Sequence, residues 1–109
     1  MASDKTFLEY VLEQLSELDD VTFRSMKGEY ILYYRGRIFG GIYDNRFLVK
    51  PTPSASSMMP DAVQEIPYDG ARAMLSVDNT DDREFLKRLI EGMYPELPEP
   101  ASKRRKSGK

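Results

Sequence analysis

The chain has 109 residues, which suits a single domain, and its 40% hydrophobic and 31% charged residues are typical of a folded, soluble protein. It contains neither cysteine nor histidine, which excludes disulfides and thiol nucleophiles and argues against zinc sites and histidine-based acid–base catalysis. We therefore expect no enzyme and no cofactor. The lack of cysteine and of any long apolar run is what we expect of a cytoplasmic protein without a membrane span.

The net charge of −2 hides a strong asymmetry along the chain. Residues 101–109 carry five basic groups and no acidic one, whereas the first 100 residues carry 11 basic and 18 acidic groups, a net charge of −7. Three prolines follow position 94 before this basic run. We predict one folded domain over residues 1–98 and a disordered basic tail over 99–109. The tail residues that could contact nucleic acid are Lys103, Arg104, Arg105 and Lys106. The same run could equally be a solubilising end that folds back onto the acidic domain.

Two helices are predicted, one near each end of the domain. Over residues 4–18 apolar side chains recur at helical spacing, and Thr6 with Glu9 could form a capping box. The second helix is predicted over 81–94, with Asn79 or Thr80 as its cap.

Residues 21–50 predict an antiparallel meander. Short apolar or aromatic runs are separated by turn-forming residues at 27–29, 35–36 and 44–45. Two-residue loops would place Tyr34 opposite Arg37 and Tyr43 opposite Arg46. With strict alternation, Ile31 would then lie opposite Gly40, and one face would collect six residues, Ile31, Tyr33, Ile38, Ile42, Phe47 and Val49. Next along the chain we predict a surface loop at 51–57, a helical turn at 60–65 and a last strand at 73–77. The expected fold class is α+β, with two layers: an antiparallel β-sheet meander packed against N- and C-terminal helices.

The opposite face would interleave basic and aromatic side chains, and it is the candidate interaction surface. It could be an ordinary solvated face, an interface with another protein or with a second copy of this chain, or a weak binding platform for nucleic acid. The residues proposed for it are Tyr30, Tyr34, Arg37, Phe39, Tyr43, Arg46 and Lys50.

Two further features leave alternatives open. Gly40 and Gly41 interrupt a strand, and they indicate either a twist or bulge or the close approach of another group. Asp78, Asp81 and Asp82 are close in sequence and could bind a divalent ion, although they lack the EF-hand pattern and are equally suited to capping a helix.

The segment from Met26 to Lys50, together with Arg24 just before it, resembles the N-terminal domain of the TfoX/Sxy family, bacterial regulators of natural competence. The matching positions are Arg24, Met26, Gly28, Tyr30, Tyr33, Gly36, Phe39, Ile42, Asp44, Arg46, Leu48 and Lys50. Departures from the family pattern occur at Lys27, Glu29 and Gly41. The 109 residues contain no counterpart of the second, helical domain of the longer regulators, and we therefore expect a stand-alone, single-domain member.

The resemblance implies a fold like that of the secretion chaperones. It also implies a regulatory or adaptor module that contacts another protein, such as a transcription activator at competence-type promoters, without a small-molecule substrate. The alternative is a weak nucleic-acid-binding protein that uses the basic tail and the Tyr/Arg sheet face.

Overall fold

A computed structural model describes residues 4–98. The first half of this range contains helix α1 and four strands: α1 (Lys5–Gln14), β1 (Val21–Met26), β2 (Glu29–Tyr34), β3 (Arg37–Tyr43) and β4 (Arg46–Val49). The second half contains α2 (Pro53–Met58), β5 (Gln64–Glu65), β6 (Met74–Ser76), α3 (Arg83–Met93) and a 3₁₀ turn (Tyr94–Glu96). The predicted tail lies outside the described residues.

All six strands form one open antiparallel sheet, in the order β1-β2-β3-β4-β6-β5. The first four strands follow one another as a meander. Strand β6 pairs with β4, and β5 pairs with β6 to form the far edge of the sheet. Helices lie at both ends of the described chain, so the predicted α+β fold class is confirmed. None of the helices within 4–98 is both long and apolar enough to cross a membrane.

The tight turns of the meander arise from residues with positive φ. Both central residues of each turn adopt it: Lys27 and Gly28, Arg35 and Gly36, Asp44 and Asn45. Paired positive φ values characterise type I′ turns, whose twist matches that of the flanking strands. The predicted pairings of Tyr34 with Arg37 and of Tyr43 with Arg46 are confirmed.

A β-bulge in β3 changes which residues share a face. Tyr33 pairs with Ile38, but Leu32 already pairs with Gly40, so Phe39 is an extra residue on β3. Ile31 consequently pairs with Gly41, and the predicted pairing of Ile31 with Gly40 is wrong. An extra residue reverses the alternation beyond it, because side chains in a strand alternate with a period of two.

The two faces of the sheet can now be defined. The inner face packs against α1 and α3, and its residues in the meander include Tyr30, Leu32, Tyr34, Phe39, Ile42, Phe47 and Val49. The outer face carries no helix, and its residues include Ile31, Tyr33, Ile38, Tyr43, Leu48 and Met74. The predicted apolar set is therefore divided, with Ile31, Tyr33 and Ile38 on the outer face.

The main core lies between the inner face and the two long helices. Leu8 and Val11 of α1 and Leu86 and Ile90 of α3 are fully buried in it. The helices are also joined by polar contacts at one end of the core, where Arg83 of α3 donates from Nε to Gln14 Oε1 and from Nη2 to Glu13 Oε2, both at 3.2 Å.

Several predicted boundaries need correction. Helix α1 ends at Gln14 rather than at 18, and its N-cap residue Asp4 has no side-chain capping bond. The cap of α3 is Asp82, whose Oδ1 accepts from the Phe85 N–H at 3.1 Å. A side-chain oxygen at this position satisfies an amide that has no partner within the helix.

The segment predicted as a loop at 51–57 contains helix α2. Thr52 caps it by accepting from the Ala55 N–H at 3.2 Å, and Pro53 occupies the first turn, where no amide donor is needed. The predicted helical turn at 60–65 is also wrong, because Gln64 and Glu65 form strand β5.

Candidate binding groove on the outer face

The structure divides the predicted interaction surface between the two sides of the sheet. Phe39 and Tyr34 are buried on the inner face, and Tyr30 packs against the same core. Their assignment to an exposed face is wrong, because the bulge at Phe39 shifts the alternation. The predicted surface therefore does not exist as one continuous patch.

Arg37 is engaged within the molecule. Its Nη1 donates to the carbonyls of Tyr94 and Leu97 at 3.1 and 3.4 Å, and its guanidinium carbon lies 4.5 Å from the centre of the Tyr94 ring. These contacts hold the 3₁₀ turn against the end of the sheet.

Tyr43, Arg46 and Lys50 belong to the side of the sheet that carries no helix. Arg46 forms an ion pair with Glu65 of β5, and its Nε donates to the Tyr43 carbonyl at 3.2 Å. Tyr43 is buried in a small cluster with Leu48 and Met74. Of the predicted residues, only Tyr43 and Lys50 line the concavity on this side.

The concavity is a groove of about 550 Å³ on the outer face. Ile31 and Ile38 lie on its floor with Met74, and the loop that precedes β6 provides one wall. Segments 50–53 and 96–98 provide the other boundaries. The lining is mostly apolar, with a few polar groups, as in sites for small ligands.

The two central glycines shape the sheet beneath this groove. A Cβ on Gly40 would lie 2.1 Å from the Leu48 carbonyl oxygen, and one on Gly41 would lie 2.7 Å from the Tyr43 ring. Any side chain would therefore displace the neighbouring strand or the tyrosine. Of the two alternatives left open by the sequence, the bulge is confirmed. The close group at Gly40 is the paired strand β4, and the approach of a helix, a partner or a ligand stays a prediction.

Two groups on the groove are affected by burial. Burial lowers the pKa of the Lys50 ammonium, because removing a cation from water without an anion disfavours the charged form. Burial also raises the pKa of the Tyr43 phenol, with smaller contributions from Tyr68 and Glu29. The phenol is therefore protonated near neutral pH and can donate a hydrogen bond.

Glu96 is the acidic residue that lines the groove in the described part of the chain. Its carboxylate oxygens accept from the Ser54 N–H at 3.0 Å and from Ser54 Oγ at 2.7 Å. These hydrogen bonds lower the pKa of Glu96. The carboxylate thus ties the C-terminal segment to the start of α2.

No group of three or more metal-binding side chains occurs within residues 4–98. Asp78, Asp81 and Asp82 therefore do not form such a cluster, and Asp82 serves as a helix cap. The mostly apolar groove on the outer face has a shape suited to holding a ligand.

Sequence reasoning missed much of the groove. The alternation predicts Ile31 and Ile38 on the face opposite the candidate interaction surface, and the candidate set does not include Tyr68, Arg72 or Met74. A signal was present at 66–68, because apolar side chains next to Pro67 and a turn have no strand or helix in which to be buried.

An open antiparallel sheet with helices on one face and an apolar groove on the other defines a small α+β domain. The chain belongs to the TfoX N-terminal domain family, which matches residues 13–92. It is 28% identical over 108 residues to an uncharacterized 12.7 kDa protein in the trpE 5′ region of Spirochaeta aurantia, covering 98% of this chain and 94% of that protein. No solved structure matches.

Proposed function

We propose that this domain is a regulatory or adaptor module that acts through protein contacts, in transcriptional regulation of competence-type genes. Membership of the TfoX N-terminal domain family supports the regulatory role. The observation that carries the protein-contact role is an exposed apolar segment next to the groove. Val63, Ile66 and Tyr68 are 59%, 60% and 55% exposed.

Three large apolar side chains within six residues form an interaction segment that we define as 63–68. Isolated exposed apolar residues are ordinary, but a cluster bordering a concavity is typical of a partner interface. Aromatic residues such as Tyr68 often anchor such contacts, because they bury a large area with little loss of conformational entropy.

The test is partner capture in a bacterial host with the full chain, an Ile66→Ser/Tyr68→Ser variant and a Tyr10→Ser control. Tyr10 is 40% exposed on α1, away from the segment. We expect transcription-associated proteins captured by the wild type and the control to be lost from the double variant. Identical captured sets for all three chains would contradict the proposal, as would an unchanged transcript profile after deletion of the gene.

The second candidate is weak nucleic-acid binding through the basic tail, favoured by the five basic groups of residues 101–109. The sheet residues add little support, since Arg37 and Arg46 have partners within the domain. Fluorescence anisotropy on duplex and single-stranded DNA should compare the wild type with a chain whose Lys103, Arg104, Arg105 and Lys106 are replaced by glutamine.

If the tail contacts phosphates, the plot of log K against log salt concentration should become shallower in the variant. Its slope should change by roughly 3–4, because each lost phosphate contact contributes about 0.9. Absence of binding at low salt would remove this candidate.

A further inference from the structure

The groove on the outer face has the size and lining of a ligand site. Its volume of about 550 Å³ lies within the range of roughly 300–1,000 Å³ that small-molecule sites occupy. Its floor is apolar, and three separate chain segments bound it. A concavity bounded in this way suits a compact ligand better than a long peptide, which must leave at both ends.

Lys50 gives the groove a chemical preference. Its side chain is half-buried at the groove and makes no hydrogen bond or ion pair with any residue of 4–98. A partly buried ammonium without a counter-ion is energetically unfavourable, and an anion placed beside it would remove that cost. The lowered pKa of Lys50 is consistent with this missing counter-ion.

The other charged groups of the groove are compatible with an anion. Arg72 adds a second cation, which likewise has no ion-pair partner in the described range. The carboxylate of Glu96 opposes an anion, but its oxygens already accept two hydrogen bonds from Ser54. Lys50, Arg72 and Glu96 together leave the lining with an excess of one positive charge. The Tyr43 phenol is an additional neutral donor.

We propose that the groove binds a small amphiphilic carboxylate, with its apolar body on Ile31, Ile38 and Met74 and its carboxylate at Lys50. The ligand class combines what the lining provides: apolar area for a short aliphatic or aromatic group, and one desolvated cation for one anionic head. Recognition of this kind requires no catalysis. The proposal does not rest on the protein contacts proposed for segment 63–68, although Tyr68 belongs to both that segment and the groove lining.

The experiment uses the full chain and three probes that share a ten-carbon chain and differ in head group: decanoate, decanol and decyltrimethylammonium. Binding is followed below micellar concentrations by ¹H–¹⁵N NMR titration. We expect decanoate to bind at least tenfold more tightly than decanol, and the cationic probe to bind more weakly than either. The shifted amides should map to residues 31, 38, 50 and 74.

Variants at position 50 test the role of charge. Lys50→Gln should weaken decanoate binding about tenfold or more while changing decanol binding little, because loss of a charged hydrogen-bond partner costs about that factor. Lys50→Arg should restore most of the affinity. Lys5→Gln, which removes an exposed lysine of α1, is the matched control and should bind as the wild type does.

Three results would overturn the proposal. Equal affinity for the three probes would show that only apolar area is recognised. Shifts confined to residues 63–66, which do not line the groove, would place the ligand elsewhere. Failure of decanoate to bind the full chain would overturn the proposal, whether the groove binds nothing or is already occupied by residues 99–109.

Discussion

Arg37 packs its guanidinium on the ring of Tyr94, 4.5 Å from the ring centre, and donates to the Tyr94 carbonyl at 3.1 Å. One side chain at the start of β3 thereby fixes the segment that follows α3. Since that segment also forms a boundary of the groove through Leu97 and Pro98, the position of this boundary depends on the contact.

Replacing Arg37 should therefore loosen the C-terminal segment. We expect Arg37→Ala to lower the free energy of unfolding by about 1–3 kcal/mol, because it removes hydrogen bonds from a charged donor and a cation–π contact. Urea denaturation measures the change. Arg88→Ala, at an exposed position of α3, is the control and should change stability by less than about 0.5 kcal/mol. Equal effects of the two substitutions would contradict the assigned role.

The buried centre and the exposed edge of the sheet can be distinguished by truncating aromatic residues. Phe39 is fully buried against Phe47, so Phe39→Ala should cost about 3–5 kcal/mol in unfolding free energy. Phe23 is 45% exposed on the edge strand β1, and Phe23→Ala should cost about 1 kcal/mol or less. Chemical denaturation of both variants makes the comparison. A small loss for Phe39→Ala would show that Phe39 lies on the outer face.

Alanine substitutions at two glycines should change the free energy of unfolding in opposite directions. Gly40→Ala should destabilise the domain by more than about 2 kcal/mol, since its Cβ would lie 2.1 Å from the Leu48 carbonyl oxygen. Gly92 is in α3, where a Cβ would meet Ser54 at an ordinary 3.6 Å. Gly92→Ala should stabilise by about 0.5–1 kcal/mol, because alanine restricts the unfolded chain. Thermal unfolding of each variant tests both signs, and a stabilising Gly40→Ala would refute the close approach of β4.

The hydrogen bonds from Ser54 to Glu96 predict a pH dependence. They lower the folded-state pKa of Glu96 below its ordinary value of 4.5. Their contribution to stability is therefore complete above the unfolded-state pKa and is lost as pH falls through the lower, folded-state pKa. Ser54→Ala removes the hydroxyl donor, so the pKa of Glu96 should rise toward its ordinary value.

A ¹³C NMR titration of the Glu96 carboxyl measures this shift. Ser57→Ala, at an exposed position of the same helix, should leave the pKa of Glu96 unchanged. An unchanged pKa in Ser54→Ala would show that the hydroxyl does not stabilise the carboxylate.

The parts of the fold that depend on local chemistry were predictable from the sequence. Arg35-Gly36 and Asp44-Asn45 set the turns, and the register next to each turn followed correctly. Gly40 and Gly41 indicated a bulge as one alternative, but its effect on the register was not predictable, because it depends on how Phe39 is buried against Phe47 from another strand. The sequence of 51–57 does not indicate helix α2, because serine and proline are common in loops. Thr52-Pro53 is nevertheless a suitable helix start.

The candidate site was only partly predictable for the same reason. Tyr43 ends β3 and Lys50 follows β4, so both belong to the hairpin beyond the bulge, whose predicted register was correct. Ile31 and Ile38 changed faces with the bulge. Arg72 and Met74 reach the groove only because β6 pairs with β4, which is a contact between distant parts of the chain.

The single extra residue in β3 determines which side of the sheet every side chain on its β1–β2 side faces, relative to β4. Deleting Phe39 would restore strict alternation, so β1 and β2 would present the opposite set of side chains relative to β4. Leu32 and Tyr34 would then be exposed, and Ile31 and Tyr33 would face the helices. A change of one residue at this point would exchange core and groove across half of the sheet.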